Sequence, residues 1–196
     1  TLQAIAVMAD YANYLKIPML VVAPVSLLEN WKRECAKFAP NLDVYIHHGS
    51  KRTGVYSELQ SHDVVVISYN TAVSDLSLLR MINWKLVILD EAQSIKNYQS
   101  ERSKSVKKIP KEGAIAITGT PFENHITDIW SIVDFIMPGY LGTVGQFKST
   151  VSDDVSGAEM VEPLLSPVMI RRLVKNVAQD LPEKVIIPQP IQMPEN

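Results

Sequence analysis

Apolar residues in this chain come in short unbroken runs, and longer amphipathic stretches separate them from end to end. Met19-Leu20-Val21-Val22-Ala23, Val64-Val65-Val66-Ile67 and Leu86-Val87-Ile88-Leu89 have no polar face, as a parallel strand buried on both sides requires. Two shorter runs, Leu42 to His47 and Ala114 to Ile117, read as further strands. Between the runs the apolar spacing changes to that of a helix. Leu2, Ile5, Ala6, Ala9, Ala12 and Leu15 share one helical face, and Pro18 breaks the pattern. A second helix carries Leu27, Leu28, Trp31, Cys35 and Phe38, with Ser26 as its expected cap, Glu29 completing a capping box, and Pro40 closing it. Polar helices are expected from Thr53 to Ser61 and from Tyr98 to Lys108, and another helix from Asn70 to Ile82. An amphipathic helix runs from Asp128 to Met137, with Ile129, Ile132, Val133 and Ile136 on one face. Tyr140 to Asp154 reads as loop and short helix, and Gly157 to Leu165 as helix. The proline-punctuated tail from Val185 to Met193 reads as extended. Strands alternating with helices predict an α/β fold: a parallel β-sheet flanked by helices on both faces, joined by right-handed crossovers.

Composition narrows the function. The 196 residues, 46% hydrophobic, suffice for one well-buried domain with a small appendage. A net charge of −2 excludes a wholesale polyanion binder, so any nucleic-acid contact has to come from a local surface. The one cysteine, Cys35, excludes an internal disulfide and a cysteine-rich zinc site, and fits a small buried apolar residue. No apolar run reaches the roughly 20 residues of a membrane span, so no membrane partner is expected. The chain starts in a helix without an initiator Met and reads as part of something longer.

The chemistry concentrates where the Leu86–Leu89 run meets Asp90-Glu91-Ala92-Gln93. Acids at the carboxyl end of a strand lie where open α/β sheets bind ligands. The first carboxylate can hold Mg2+ through water, and the second can orient or deprotonate an attacking water. An Asp-Glu pair also occurs simply as a helix start that offsets the dipole.

Four stretches in fixed order resemble the Swi/Snf-like family of ATP-dependent DNA translocases, within the DEAD/DEAH helicase-like superfamily. Val22 to Trp31 looks like motif Ia, Asp90 to Gln93 like motif II, and Ile117-Thr118-Gly119-Thr120-Pro121-Phe122-Glu123-Asn124 like motif III. Arg171-Arg172 followed by Asp180 to Lys184 is similar to the segment leaving the first lobe. His48-Gly49 and Ile67-Ser68-Tyr69 fall on smaller landmarks. The resemblance implies a RecA-like P-loop NTPase lobe over 1–165, an exit segment over 166–196, and ATP bound in a cleft against a second RecA-like lobe of the same polypeptide. Thr1 would be the motif I threonine, and the preceding glycine-rich loop and lysine lie outside the sequence. Motifs V and VI, with an arginine finger that carries about 10³–10⁵ in rate, belong to the other lobe. The chain by itself is therefore expected to be nearly inert.

By the same resemblance, Asp90 and Thr1 would hold Mg2+, Glu91 would polarise the attacking water, and Gln93, where histidine is commoner, would relay nucleotide state. Thr118 and Thr120 would pair with the acidic box, although capping explains them equally well. Pro24, Ser26, Asn30, Ser68, Tyr69 and Asn70 would meet the phosphates of double-stranded DNA. Trp31 fits the core better than a base-stacking platform. Lys104, Lys107 and Lys108 form a basic patch that is usually a solvated face. His47 and His48 read as structural, Glu123 and Asn124 as support for motif III, and Arg171 and Arg172 as braces of the exit segment. The expected activity of the whole protein is ATP-dependent translocation that displaces DNA-bound complexes. RNA polymerase would be such a target in a bacterial cytoplasm, as other complexes would be in a eukaryotic nucleus. Strand separation on DNA or RNA, and a lobe that binds nucleic acid or protein without hydrolysis, are the alternatives.

Overall fold

The computed structural model describes residues 1–14, 18–120 and 125–171. In chain order it runs α1 (Leu2–Tyr14), β1 (Met19–Ala23), α2 (Leu28–Phe38), β2 (Val44–Ile46), α3 (Tyr56–Gln60), β3 (Val64–Ser68), α4 (Tyr69–Ser74), α5 (Leu76–Leu79), β4 (Trp84–Asp90), α6 (Glu101–Lys107), β5 (Lys111–Ile117), α7 (Ile126–Ile136), α8 (Val144–Thr150) and α9 (Val155–Leu165). The expected helix residue Leu15 and the segments Pro121 to Asn124, Asp180 to Lys184 and Val185 to Met193 lie outside the described residues, as does Arg172.

Each expected strand is present, and all pair in parallel in the order β2-β3-β1-β4-β5. Strand β1 is central, with Val22 opposite Ile67 on one side and Leu89 on the other. This register brings the carboxyl ends of β1, β3 and β4 side by side, at Ala23, Ser68 and Asp90.

Alternation sorts the strand side chains to two faces. Leu20, Val22, Val65, Ile67, Val87 and Leu89 pack under Leu59, Ala72, Leu79, Val106 and Phe135. Met19, Val21, Val64, Val66, Leu86 and Ile88 pack under α1 and α2 through Ile5, Met8, Leu28, Trp31 and Cys35. Each fully buried aliphatic contributes about 1.5–3 kcal/mol relative to exposure. That double burial is why these strands read as continuous apolar runs. Helix α7 also turns Ile129, Trp130 and Val133 away from the sheet, against Phe147 of α8 and Val161 and Leu165 of α9.

Three local expectations are corrected. Ser26 does not cap a helix: after Pro24 the chain makes a 3-10 turn over Val25–Leu27, closed by Leu27 N–H donating to the Pro24 carbonyl at 2.9 Å. Helix α2 then begins at Leu28 without a side-chain cap, so Glu29 has no capping box to complete. The helix expected from Asn70 to Ile82 is broken at Asp75, whose carboxylate is drawn to His47 and Arg52. Lys107 departs from the solvated face: it is half-buried, pairs with Asp134 at 2.9 Å and stands 4.7 Å over the Trp130 ring, whereas Lys104 is exposed and pairs with Glu101 at 3.0 Å. Lys108 is exposed, as expected of a solvated face.

Candidate functional site

The acids sit at the end of β4. Asp90 closes the strand and is 7% exposed. Glu91 follows in the left-handed region, at φ 50°, the one non-glycine residue with positive φ among those described. This conformation costs about 1–2 kcal/mol and turns the chain sharply out of the strand. The pair therefore does not start an α-helix: a 3-10 turn over Ala92–Ile95 follows.

The turn brings Gln93 back onto its neighbour. Gln93 Nε2 donates to Glu91 Oε2 at 2.7 Å, and Gln93 Oε1 accepts from Thr118 Oγ1 at 2.7 Å. Thr118 Oγ1 in turn accepts the Thr120 backbone N–H at 3.1 Å. Donors run from the β5 end through Gln93 to Glu91, so the carboxylate is purely an acceptor and keeps lone pairs for a water. Thr120 reaches this chain through its backbone and is itself exposed.

Asp90 is held from three sides. Its Oδ1 accepts the Glu91 backbone N–H at 3.0 Å. Its Oδ2 accepts the Trp31 indole Nε1–H at 2.8 Å. Its main-chain carbonyl accepts the Tyr69 hydroxyl at 2.8 Å. Burial, reinforced by the neighbouring Asp90 carboxylate, pushes the Tyr69 phenol above its ordinary range, so the hydroxyl stays a donor. Trp31 is fully buried, in keeping with the core reading. Its contact with Asp90 was not read from the sequence; the available signal was that a buried indole N–H needs an acceptor.

The donor set fits a hydrated divalent ion. Among the described residues no group of three or more His, Cys, Asp or Glu side chains is arranged to hold a metal. Mg2+ is commonly bound by one or two carboxylates together with waters and substrate phosphates, and Asp90 with Glu91 supplies that. Thr1 is exposed and lines a groove of about 590 Å3 along β5, which it shares with Thr118 and Gly119 and not with the two acids.

The surface residues divide in the same way. Of the residues expected to meet phosphates, Ser68 and Tyr69 turn their side chains inward, at 1% and 4% exposure, so neither side chain offers a surface group. Ser68 Oγ caps α4 by accepting the Thr71 N–H at 3.1 Å. Ser26 and Asn70 are exposed, and Pro24 and Asn30 are half-buried. Asn70 Oδ1 accepts from Arg102 Nη2 at 3.1 Å, an exposed cation that the sequence reading did not single out. Asn30 Oδ1 accepts from Arg33 at 2.5 Å.

His47 has a structural role, as expected. His47 is buried between Asp75, 2.8 Å from Nε2, and the Thr53 N–H, which donates to Nδ1 at 3.2 Å. Nδ1 is thus an acceptor, and Nε2 donates to Asp75. Arg52 grips both oxygens of Asp75. Burial works against the Asp75 charge, but the hydrogen bonds from Arg52 and His47 outweigh it and hold the carboxyl below its ordinary range.

Strand-end acids tied through Gln93 to a threonine at the end of the adjacent strand form the site of this α/β lobe, and comparisons with known proteins give its family. The family model described as SNF2-related domain matches residues 1–195. The chain belongs to that family of Swi/Snf-like ATPases. It is 36% identical to the Sulfolobus solfataricus SWI2/SNF2 ATPase core in complex with dsDNA, with a TM-score of 0.80, covering 92% of this chain and 39% of that one. The fold is that of the RecA-like lobe of such a core. Among relatives, it is 36% identical over 181 residues to the putative ATP-dependent helicase/translocase YwqA of Bacillus subtilis, covering 87% of this chain and 20% of the relative. It is 34% identical over 189 residues to the TATA-binding protein-associated factor MOT1 of Saccharomyces cerevisiae, covering 87% of this chain and 10% of the relative. The chain thus spans a fifth or less of the length of these two relatives. Among the described residues, no helix is long and apolar enough to cross a membrane.

Proposed function

We propose that this chain is the first lobe of an ATP-dependent translocase on double-stranded DNA, a motor that displaces or remodels DNA-bound protein complexes. The observation that carries the reading is the connected path Thr118–Gln93–Glu91 beside the tethered Asp90, which links the ends of two adjacent strands to a hydrolytic acid pair. Glu91 holds and orients the attacking water and takes its proton. Asp90 would hold Mg2+ through water, and Thr1 would add an oxygen ligand once brought to the acids; bound there, the ion would supply charge neutralisation for the phosphates of ATP. Gln93, hydrogen-bonded to both sides, senses the position of the water through Glu91 and passes it to Thr118, which with Thr120 couples hydrolysis to movement of a second RecA-like lobe. Residues 1–165 form the nucleotide-binding lobe and 166–196 lead out of it.

Duplex contact is assigned to the loops after β1 and β3, through Pro24, Ser26, Asn30 and Asn70, with Arg102 added. The dsDNA-bound state of the Sulfolobus solfataricus relative supports duplex DNA as the ligand, and the exposure of Ser26, Asn70 and Arg102 supports the choice of surface. Phosphate contacts from such groups carry no sequence information, as movement along any sequence requires.

The test is ATP hydrolysis by the full-length polypeptide carrying this lobe, with and without duplex DNA. Duplex stimulates turnover, and Glu91→Gln lowers kcat by about 100-fold or more, in the range expected for loss of a general base. Stimulation by RNA alone, or separation of a labelled duplex into strands at each turnover, overturns the translocase reading in favour of a strand-separating helicase. Absence of hydrolysis with any nucleic acid leaves a binding module.

A further inference from the structure

We propose that Trp31 and Tyr69 are positioning residues that couple duplex contact to hydrolysis, by tying the two helices beneath the nucleic-acid loops to one residue, Asp90. The inference rests on the translocase reading above and adds the physical link between its two sites.

Trp31 lies on α2, the helix that leaves the Pro24–Ser26 loop, one position after Asn30. Its indole N–H, fully buried, donates across 59 positions of sequence to Asp90 Oδ2 at 2.8 Å. Tyr69 is the first residue of α4, directly before exposed Asn70. Its hydroxyl donates to the Asp90 carbonyl at 2.8 Å and lies 3.5 Å from that of Glu91. Two helices from two loops thus end on different atoms of the same residue, one on the carboxylate and one on the main chain where the left-handed turn begins.

Phe in place of Tyr69 keeps every carbon and loses only the hydroxyl, so burial alone does not require that bond; Phe in place of Trp31 loses the N–H together with part of the ring volume. Hydrogen bonds weaken steeply as their angles close, so a small shift of α2 under load disturbs the Asp90 carboxyl and a small shift of α4 its main-chain carbonyl. The register makes this direct: β1 lies between β3 and β4, so no other element separates the three strand ends. Coupling of this kind is reciprocal, and nucleotide loaded at Asp90 must change duplex affinity by the factor that duplex changes nucleotide affinity.

The experiment uses the full-length polypeptide as wild type, Trp31→Phe and Tyr69→Phe, each shown folded by its melting transition. Three quantities are measured: the factor by which duplex DNA stimulates hydrolysis, the Mg2+ concentration for half-maximal rate, and the duplex Kd by fluorescence anisotropy with and without a non-hydrolysable ATP analogue plus Mg2+. In the variants the stimulation factor falls by about tenfold, of the size typical of coupling between sites. The half-saturating Mg2+ rises in Trp31→Phe. The ratio of the two duplex Kd values moves toward one, while the Kd without nucleotide stays within about twofold of wild type, because no surface group is lost. Unchanged stimulation and unchanged Kd ratio in both variants overturn the proposal, as does a loss of duplex affinity that is equal with and without nucleotide. Tyr69→Phe removes one oxygen and no carbon, and it decides the matter if Trp31→Phe does not fold. A wild-type protein that duplex fails to stimulate defeats the translocase reading itself, an outcome distinct from variants that behave as wild type.

Discussion

Asp75 shows how much of this lobe is held by single side chains. It ends α4 and receives Arg52 through both oxygens and buried His47 through one, joining the loop after β2 to the α4–α5 corner. Because its folded-state pKa is held below the unfolded value, Asp75 stabilises the fold above that unfolded value and loses the contribution as pH falls through the folded one. Asp75→Asn is therefore expected to lower unfolding stability at pH 7 by about 1.5–3 kcal/mol, the range for hydrogen bonds to a charged group. The difference from wild type shrinks below about pH 3.9, where the unfolded carboxyl protonates. Urea midpoints at pH 7 and pH 3 measure it. At this scale the sequence was uneven. The place of Asp90, Glu91 and Gln93 was legible because it is set locally, by an apolar strand run ending in acids. Trp31 was read by its hydrophobic spacing alone, since its acceptor lies far away in sequence. Ser68 and Tyr69 were placed at the carboxyl end of a strand, where they are, but which way a side chain points there depends on packing against β4.

Elements were legible wherever burial, and not capping chemistry, set them. The five strands stand where unbroken apolar runs put them, whereas β5 extends back to Lys111 through residues that carry little apolar signal. The misread helix start at Ser26 has a plain cause: Pro24 favours a tight turn, and a turn satisfies the same backbone groups as a cap. Helix α9 depends on a close approach that sequence cannot reveal. A Cβ on Gly157 would lie 1.9 Å from the Ser152 carbonyl oxygen, and backbone there cannot swing aside as a side chain would. Gly157→Ala is expected to destabilise by about 1–3 kcal/mol, as overpacking does. Gly145 in α8 meets nothing within 4 Å, and Gly145→Ala should instead be neutral or slightly stabilising, by up to about 1 kcal/mol from helix propensity. Opposite shifts in melting temperature for the two variants check the pair.

Across the whole molecule, stability is graded from the centre of the sheet outward. Strand β1 is wholly buried and paired on both sides, and β3 and β4 are nearly as enclosed, while among the described residues β5 is an edge whose residues are half-buried to exposed. Amide hydrogen exchange should accordingly be slowest in β1 and its two neighbours and faster in β5 and α9, in separable steps. Uniform exchange across the sheet would show that the lobe opens as one unit. The graded pattern places the acids, at the end of β4, on the rigid part. The β5 end carrying Thr118 lies on the looser part, so the Gln93–Thr118 bond spans the boundary between them.

Cys35 gives α2 a built-in timer. The thiol is fully buried one helical turn beyond Trp31, and burial, aided by Glu34, raises its pKa to about 11. A thiol reagent can react only when the helix has lifted and the sulfur has met water, so the labelling rate counts departures of α2 from the sheet without any engineered probe. Labelling of the folded protein should be at least about 100-fold slower than in denaturant, as for a site exposed only by local opening. Because Trp31 rides on the same helix, the rate measured with and without duplex DNA reads how firmly the nucleic acid presses α2 onto the sheet while Asp90 is held.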